Sequence, residues 1–237
     1  MKAQSTTAIT LNMIPDPWTV ASYALQYSGL SLTASWLEEI SLDDFLGNFA
    51  NWCDSPKLSC NVILQQVIAN TKLENPSLKF GITLYVDELA SLAQNQNLTA
   101  SLRDQIDTIH FYVQYREQGP QFETYVQQVQ NMFPKATVIA GAYPYDRISY
   151  ATCSISKNAP CTVDEELSLY EQTLRVQVRL LRQGKVSGIE FYPGYFGMEG
   201  KWAGWNNAKI CPPERKEECI ANTKAMHSAT LQILDGN

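Results

Sequence analysis

The chain has 237 residues, 45% hydrophobic and 18% charged, enough to bury a sizeable core in one or two domains. A formal charge of −6 and a pI near 5.0 argue against a nucleic acid or an anionic membrane as partner. No apolar run approaches the roughly 20 residues of a membrane span.

Strand-like and helix-like segments alternate along the chain. Ala8–Ile14 and Leu30–Trp36 read as strands, separated by a helix over Pro17–Tyr27 with proline near its start. Ser41–Leu42–Asp43–Asp44 resembles a capping box with Asp in place of Glu, and predicts a helix through Trp52. Asn61–Lys72 follows as a helix, with Val62, Ile63, Val67 and Ile68 on its apolar side. The strand Lys79–Asp87, a short helix at Thr99–Gln105 and the strand Thr108–Arg116 come next. Phe122, Tyr125, Val126, Val129 and Phe133 recur at helical spacing within Gln121–Phe133, and Pro134 ends that helix before the strand Thr137–Tyr145.

Thr162–Val163–Asp164–Glu165 is a second capping box, its acidic residues complementing the helix dipole. Leu167, Tyr170, Leu174, Val178 and Leu181 then recur at steps of three and four until Gly184, which suits a C′ stop. The strand Val186–Tyr192, a helix over Glu214–His227 and a strand at Thr230–Leu234 complete the chain. No linker, repeat or low-complexity tract interrupts it, so residues 1–237 are expected to form a single catalytic domain.

The six cysteines fall into three close pairs: Cys53 with Cys60, Cys153 with Cys161, and Cys211 with Cys219. No pair has C-x-x-C spacing and only His110 and His227 are present to complete a metal site, so three local disulfides are expected and no metal. Disulfides imply an oxidising compartment, secreted or periplasmic. No apolar signal segment follows Met1–Lys2, so any export signal is expected to have been removed or never to have been present. Asn97–Leu98–Thr99 is a glycosylation sequon.

Seven strands alternating with helices, each too apolar on one parity to face water, predict a parallel sheet covered by helices. The expected fold is a (β/α)₈ TIM-type barrel, irregular or short of one strand; no glycine-rich phosphate loop supports the doubly wound alternative. Successive strand side chains point to opposite faces. Ile82, Leu84 and Val86, like Ile109, Phe111 and Val113, form the aliphatic side. On the other side fall Thr83, Tyr85 and Asp87; His110, Tyr112, Gln114 and Arg116; Tyr143 and Tyr145; and Glu190 with Tyr192. At the C-terminal mouth of a barrel such residues form the active site.

The chain carries no G-x-S-x-G elbow, P-loop, H-E-x-x-H or dinucleotide fingerprint. Two carboxylates among tyrosines and tryptophans suit glycoside hydrolysis, in which one protonates the leaving oxygen and the other attacks the sugar or activates water. Glu190 is the first expected catalytic carboxylate and Asp87 the second, with Glu88 replacing Asp87 if the strand ends one residue earlier. Tyr85, Tyr112 and Tyr192 would orient them, with Tyr143, Tyr145 and Asp146 lining the cleft. His110, Gln114 and Arg116 would bind hydroxyls or a uronate carboxylate. Trp202 and Trp205, in the loop Gly194–Trp205, would stack on sugar rings. A lyase using His110, Tyr112 and Arg116, or a non-catalytic carbohydrate-binding barrel, would fit the same residues.

The strand-end Glu followed by an aromatic in Gly188–Ile189–Glu190–Phe191–Tyr192–Pro193–Gly194 resembles the secreted (β/α)₈ glycoside hydrolases. The paired Asn-Glu ending a fourth strand and the D-x-x-D-x-D-x-E run of chitinase-like barrels are both missing, which leaves retention or inversion open. The expected partner is therefore a carbohydrate substrate, with no cofactor, nucleic acid or membrane involved and the chain acting as a monomer.

Overall fold

The computed structural model describes residues 7–11, 17–53, 59–144, 163–191 and 216–236, and the β-α alternation runs through them. The first strand, β1 (Thr7–Leu11), precedes α1 (Pro17–Ser31), whose Pro17 occupies the first helical position, where its missing N–H has no helical partner to lose. Then come β2 (Leu37–Leu42), α2 (Phe45–Cys53), α3 (Cys60–Leu73) and β3 (Lys79–Tyr85). A 3₁₀ turn at Val86–Glu88 leads into α4 (Leu89–Gln94), α5 (Ala100–Arg103) and β4 (Thr108–Tyr112). A second 3₁₀ turn, Arg116–Gln121, runs into α6 (Phe122–Met132), followed by β5 (Thr137–Ala142), α7 (Val163–Arg182), β6 (Gly188–Phe191) and α8 (Lys216–Asp235).

The strands are hydrogen-bonded in chain order, β1-β2-β3-β4-β5-β6. Pairing is parallel from β1 to β2, from β2 to β3 (Ile40↔Phe80, Ser41↔Gly81) and from β5 to β6 (Gly141↔Glu190). This corrects the expected (β/α)₈ barrel: among the described residues there are six strands, not eight, in an α/β arrangement.

Two strand expectations failed for identifiable reasons. Leu30–Trp36 alternates apolar and polar residues, but α1 continues to Ser31, whose hydroxyl donates to the Ser28 carbonyl, and Leu30, Leu32 and Trp36 are exposed. The true second strand, Leu37–Leu42, begins just beyond it. Thr230–Leu234 also alternates, yet it is the end of α8. The Thr230 hydroxyl donates to the Met226 carbonyl at 2.7 Å, and Met226, Ala229 and Ile233 are buried at helical steps of three and four.

Strand ends differ too. β3 stops at Tyr85 and β4 at Tyr112, so Asp87 and Arg116 lie in 3₁₀ turns rather than on strands. Ser41 is a buried strand residue and opens no helix; α2 is entered through Asp44, whose φ of 46° is left-handed, a region Asp tolerates better than most side chains.

The chain divides into two compact units, Met1–Phe111 with Gln128–Val138, and Tyr112–Gln127 with Ile139–Asn237. In the first, α3 packs against α1, α2 and β3 over a core that includes Phe45, Phe49, Leu64, Phe80, Ile82 and Phe111. The Phe45 and Phe49 rings stack at 5.4 Å. Of the predicted apolar side of α3, Ile63, Val67 and Ile68 are buried, whereas Val62 faces solvent and Leu64 takes its place. Asp107 ties strand starts together. Its carboxylate accepts from Lys72 Nζ at 2.6 Å and the Phe80 N–H at 2.8 Å, and its carbonyl accepts from the Thr137 N–H at 2.9 Å.

In the second unit, Tyr170, Leu174 and Val178 of α7 and Met226 and Ile233 of α8 form a core with Ala142. The expected glycine stop is present. Gly184 has φ 68°, its N–H donates to the Leu181 carbonyl, and the Lys185 N–H donates to Leu180, closing a Schellman motif.

Candidate functional site

The C-terminal ends of β2 and β3 gather four carboxyl groups. Asp43 and Asp44 follow β2, the Asp44 N–H donating to Asp43 Oδ1 at 3.0 Å. Asp87 and Glu88 follow β3 in the 3₁₀ turn. Tyr85 joins the two sets: its hydroxyl donates to Asp44 Oδ1 at 3.0 Å and its N–H donates to Glu88 Oε2 at 3.0 Å. Burial pushes the Glu88 carboxyl up to about 7, against the pull of the Tyr85 N–H, and the nearby charges of Asp87, Asp44 and Asp43 push it further in the same direction. A carboxyl group with that value retains its proton near neutrality, which is the state a general acid needs. Asp87 itself is exposed.

Below this cluster on the same sheet, Glu39 of β2 and His110 of β4 are hydrogen-bonded through Oε1 and Nε2, reaching across β3. The bridge exists because residue 81 has no side chain: a Cβ there would lie 3.0 Å from Glu39 Cδ and 3.2 Å from His110 Nε2. Both side chains are buried, at 4% and 8% exposure. A carboxylate on one imidazole nitrogen fixes the ring's orientation. Glu39 is absent from the sequence-based candidates, because alternation alone puts the second strand seven residues earlier, over Leu30–Trp36. The available signal was Leu37–Glu38–Glu39–Ile40–Ser41–Leu42, where Glu39 shares parity with Ser41 just before the Asp43–Asp44 turn.

In the second unit, β6 places Glu190 beside Gly141 in register, half-buried. Ile189 and Phe191 pack on the Tyr170–Leu174 core, so strand alternation puts Glu190 on the opposite face. The Tyr112 ring lies against Gly141, where a Cβ would come 2.5 Å from its Cγ, and it meets the Tyr143 ring at a centroid distance of 4.9 Å. Arg116 is buried: its Nε donates to Glu166 Oε1 at 2.6 Å and its Nη2 to the Tyr143 carbonyl at 2.9 Å, with the Tyr170 ring 5.4 Å away. Glu166, in the first turn of α7, is thus the buried partner of Arg116. Gln114 is half-buried in the turn after β4.

Of the expected site residues, the first unit brings together Tyr85 and Glu88, and the second brings together Tyr112, Tyr143 and Arg116. Tyr145, Asp146, Tyr192, Trp202 and Trp205 lie outside the described residues. Of the three expected disulfides, the one joining Cys53 and Cys60 is formed. The other two fall outside what is described. Cys153, Cys161 and Cys211 are not among the described residues, and Cys219 is described only as part of the α8 backbone.

Among the described residues, no group of three His, Cys, Asp or Glu side chains is arranged to hold a metal ion, and no helix is long and apolar enough to cross a membrane. No protein-family model matches the chain, and no curated protein matches it.

Proposed function

We infer that the protein is a glycoside hydrolase that cleaves a poly- or oligosaccharide with Glu88 as proton donor. The reading rests on one observation: a largely buried carboxyl, pushed up to about 7, among three further carboxylates at the strand ends. Protonation of a glycosidic oxygen at neutral pH needs such a group, and a second carboxylate must stabilise or attack the sugar carbon as positive charge develops there. Asp44, which accepts the Tyr85 hydroxyl, is the carboxylate best held for that second role. The Cys53–Cys60 disulfide supports action in an oxidising, extracellular or periplasmic setting.

A polysaccharide panel with a reducing-end readout, run with Glu88→Gln and Asp44→Asn, tests the assignment. Each substitution should lower kcat/KM by about 10²–10⁴-fold on whichever substrate the wild type cleaves. Retention of wild-type turnover by Glu88→Gln would remove it from the chemistry, and Glu190→Gln in the same assay tests the strand-end glutamate of β6 independently.

A further inference from the structure

The motif Asn-x-Ser/Thr occurs twice in the chain, at Asn75–Pro76–Ser77 and at Asn97–Leu98–Thr99. It is an acceptor for an N-linked oligosaccharide unless proline stands in the middle, so Pro76 excludes the first. The fold separates the two in the same way. Asn75 is half-buried and already engaged: its Nδ2 donates to Ser31 Oγ at 2.9 Å, and its Oδ1 accepts from the Ser77 N–H at 3.1 Å and the Ser77 hydroxyl at 2.6 Å. Asn97 is exposed, in the turn between α4 and α5, and its carboxamide has no hydrogen-bond partner among the described residues.

The turn itself is firmly held. Leu98 is 2% exposed, which anchors the middle of the motif in the core and leaves its two neighbours outside. Asn95 Oδ1 accepts from the Asn97 N–H at 3.0 Å and the Leu98 N–H at 3.3 Å. Arg103 donates through Nε to the Leu98 carbonyl at 3.0 Å and through Nη2 to the Leu92 carbonyl at 3.2 Å. Thr99 caps α5, its hydroxyl accepting from the Leu102 N–H at 3.4 Å. Turn and cap chemistry thus accounts for Asn95 and Thr99. It gives the Asn97 side chain nothing to do, and that side chain stands on a fixed backbone in solvent.

We propose that Asn97 is a modification site that carries an N-linked oligosaccharide. A bulky, hydrophilic group fits only where it displaces no packed atom, and the exposed Asn97 meets that condition. The Cys53–Cys60 disulfide supports passage through an oxidising compartment, the setting in which such chains are modified. The donor is an oligosaccharide linked through its C1 to a lipid pyrophosphate. Asn97 Nδ2 attacks that carbon, a C–N bond forms as the C1–O bond breaks, the lipid pyrophosphate leaves with the bonding electrons, and the amide gives up one proton; nothing is oxidised or reduced. All of α4, about 9 Å of helix, lies between this turn and the one that holds Glu88. The site shares the oxidising setting with the hydrolase reading and none of its chemistry.

Peptide mass mapping tests the proposal on the full chain from two sources, purified from the organism that makes it and secreted by insect cells behind a cleavable signal. Both should yield the Asn97 peptide with a glycan attached, and peptide-N-glycosidase should remove it, leaving aspartate at position 97 and a faster-migrating band. Among variants secreted in the same way, Asn97→Gln should migrate like the enzyme-treated wild type. Thr99→Ser, which keeps both the acceptor motif and the α5 cap, should retain the slower band, and so should Asn75→Gln. The readout is a mass and not an activity, so a chain that cleaves no sugar still reports on Asn97, and the two readings fail separately. An Asn97 peptide found only unmodified from either source, or a slower band that persists in Asn97→Gln, would overturn the proposal.

Discussion

Replacing Gly81 by alanine adds one methyl group where two buried side chains already meet. The new Cβ would sit 3.0 Å from Glu39 Cδ and 3.2 Å from His110 Nε2, against the roughly 3.5–4.0 Å of a favourable contact. Neither neighbour can swing into water, because both are enclosed on the sheet face. One response is a shift of β3, an overpacking cost of about 1–3 kcal/mol. The other is rotation of Glu39 away from His110, which breaks a buried pair at about 3–5 kcal/mol. The cheaper response sets the outcome, so urea denaturation followed by circular dichroism should show a loss of at least about 1 kcal/mol at unchanged m. Gly47→Ala provides the control, since that exposed position within α2 has nothing within 4 Å of a new Cβ. There the same chemical change should stabilise by about 0.5–1 kcal/mol through helix propensity. Adding Glu39→Ala to Gly81→Ala should relieve the collision, giving a combined loss smaller than the sum of the two. A Gly81→Ala midpoint equal to the wild type's would refute the steric account of the bridge.

Other outcomes follow from the charges and the backbone. The Glu88 carboxyl stands at about 7 in the folded chain against an ordinary 4.5, so between those values the unfolded chain releases a proton that the folded chain keeps. Its contribution to stability is fully present below pH 4.5 and is lost as pH rises to about 7, by up to about 3 kcal/mol; Glu88→Gln should remove this slope from a pH series of urea midpoints. Arg116→Ala strands the Glu166 carboxylate in the interior and should cost about 3–5 kcal/mol in the same denaturation assay, while Arg116→Met with Glu166→Leu should recover most of it. Gly184→Ala forces a side chain into left-handed backbone at the α7 stop and should lower stability by about 1 kcal/mol, read as a drop in Tm.

Helices were the most legible part of the sequence, because their signals are local. The step-three and step-four pattern from Leu167 to Leu181 and the glycine at 184 identified α7 and its end, and Thr99 caps α5 through its own hydroxyl. Strands were less so, because alternation also arises at helix ends. Leu30–Trp36 and Thr230–Leu234 alternate only because α1 and α8 expose some of their leucines, and what decides them is hydrogen bonding to the preceding turn. The candidate site followed the same division. Glu88 was recognised through the uncertainty in where β3 ends, and its raised value comes first from burial, which only the folded chain supplies, with Asp87 beside it and Asp44 and Asp43, more than 40 residues away, adding to it. Glu39 was hidden because two adjacent glutamates do not read as a strand; only a histidine 71 residues later and a glycine between them make its burial tolerable.

That bridge also bears on how the first unit opens and closes. Glu39 and His110 sit on strands either side of β3, so their hydrogen bond forms only when all three strands are in place, and losing any one of them breaks that buried bond. β2, β3 and β4 are thereby joined into a single cooperative opening unit, instead of fraying inward from one strand at a time, and their central amides, from Ile40 to Ile82 to Phe111, should exchange with solvent at one common free energy.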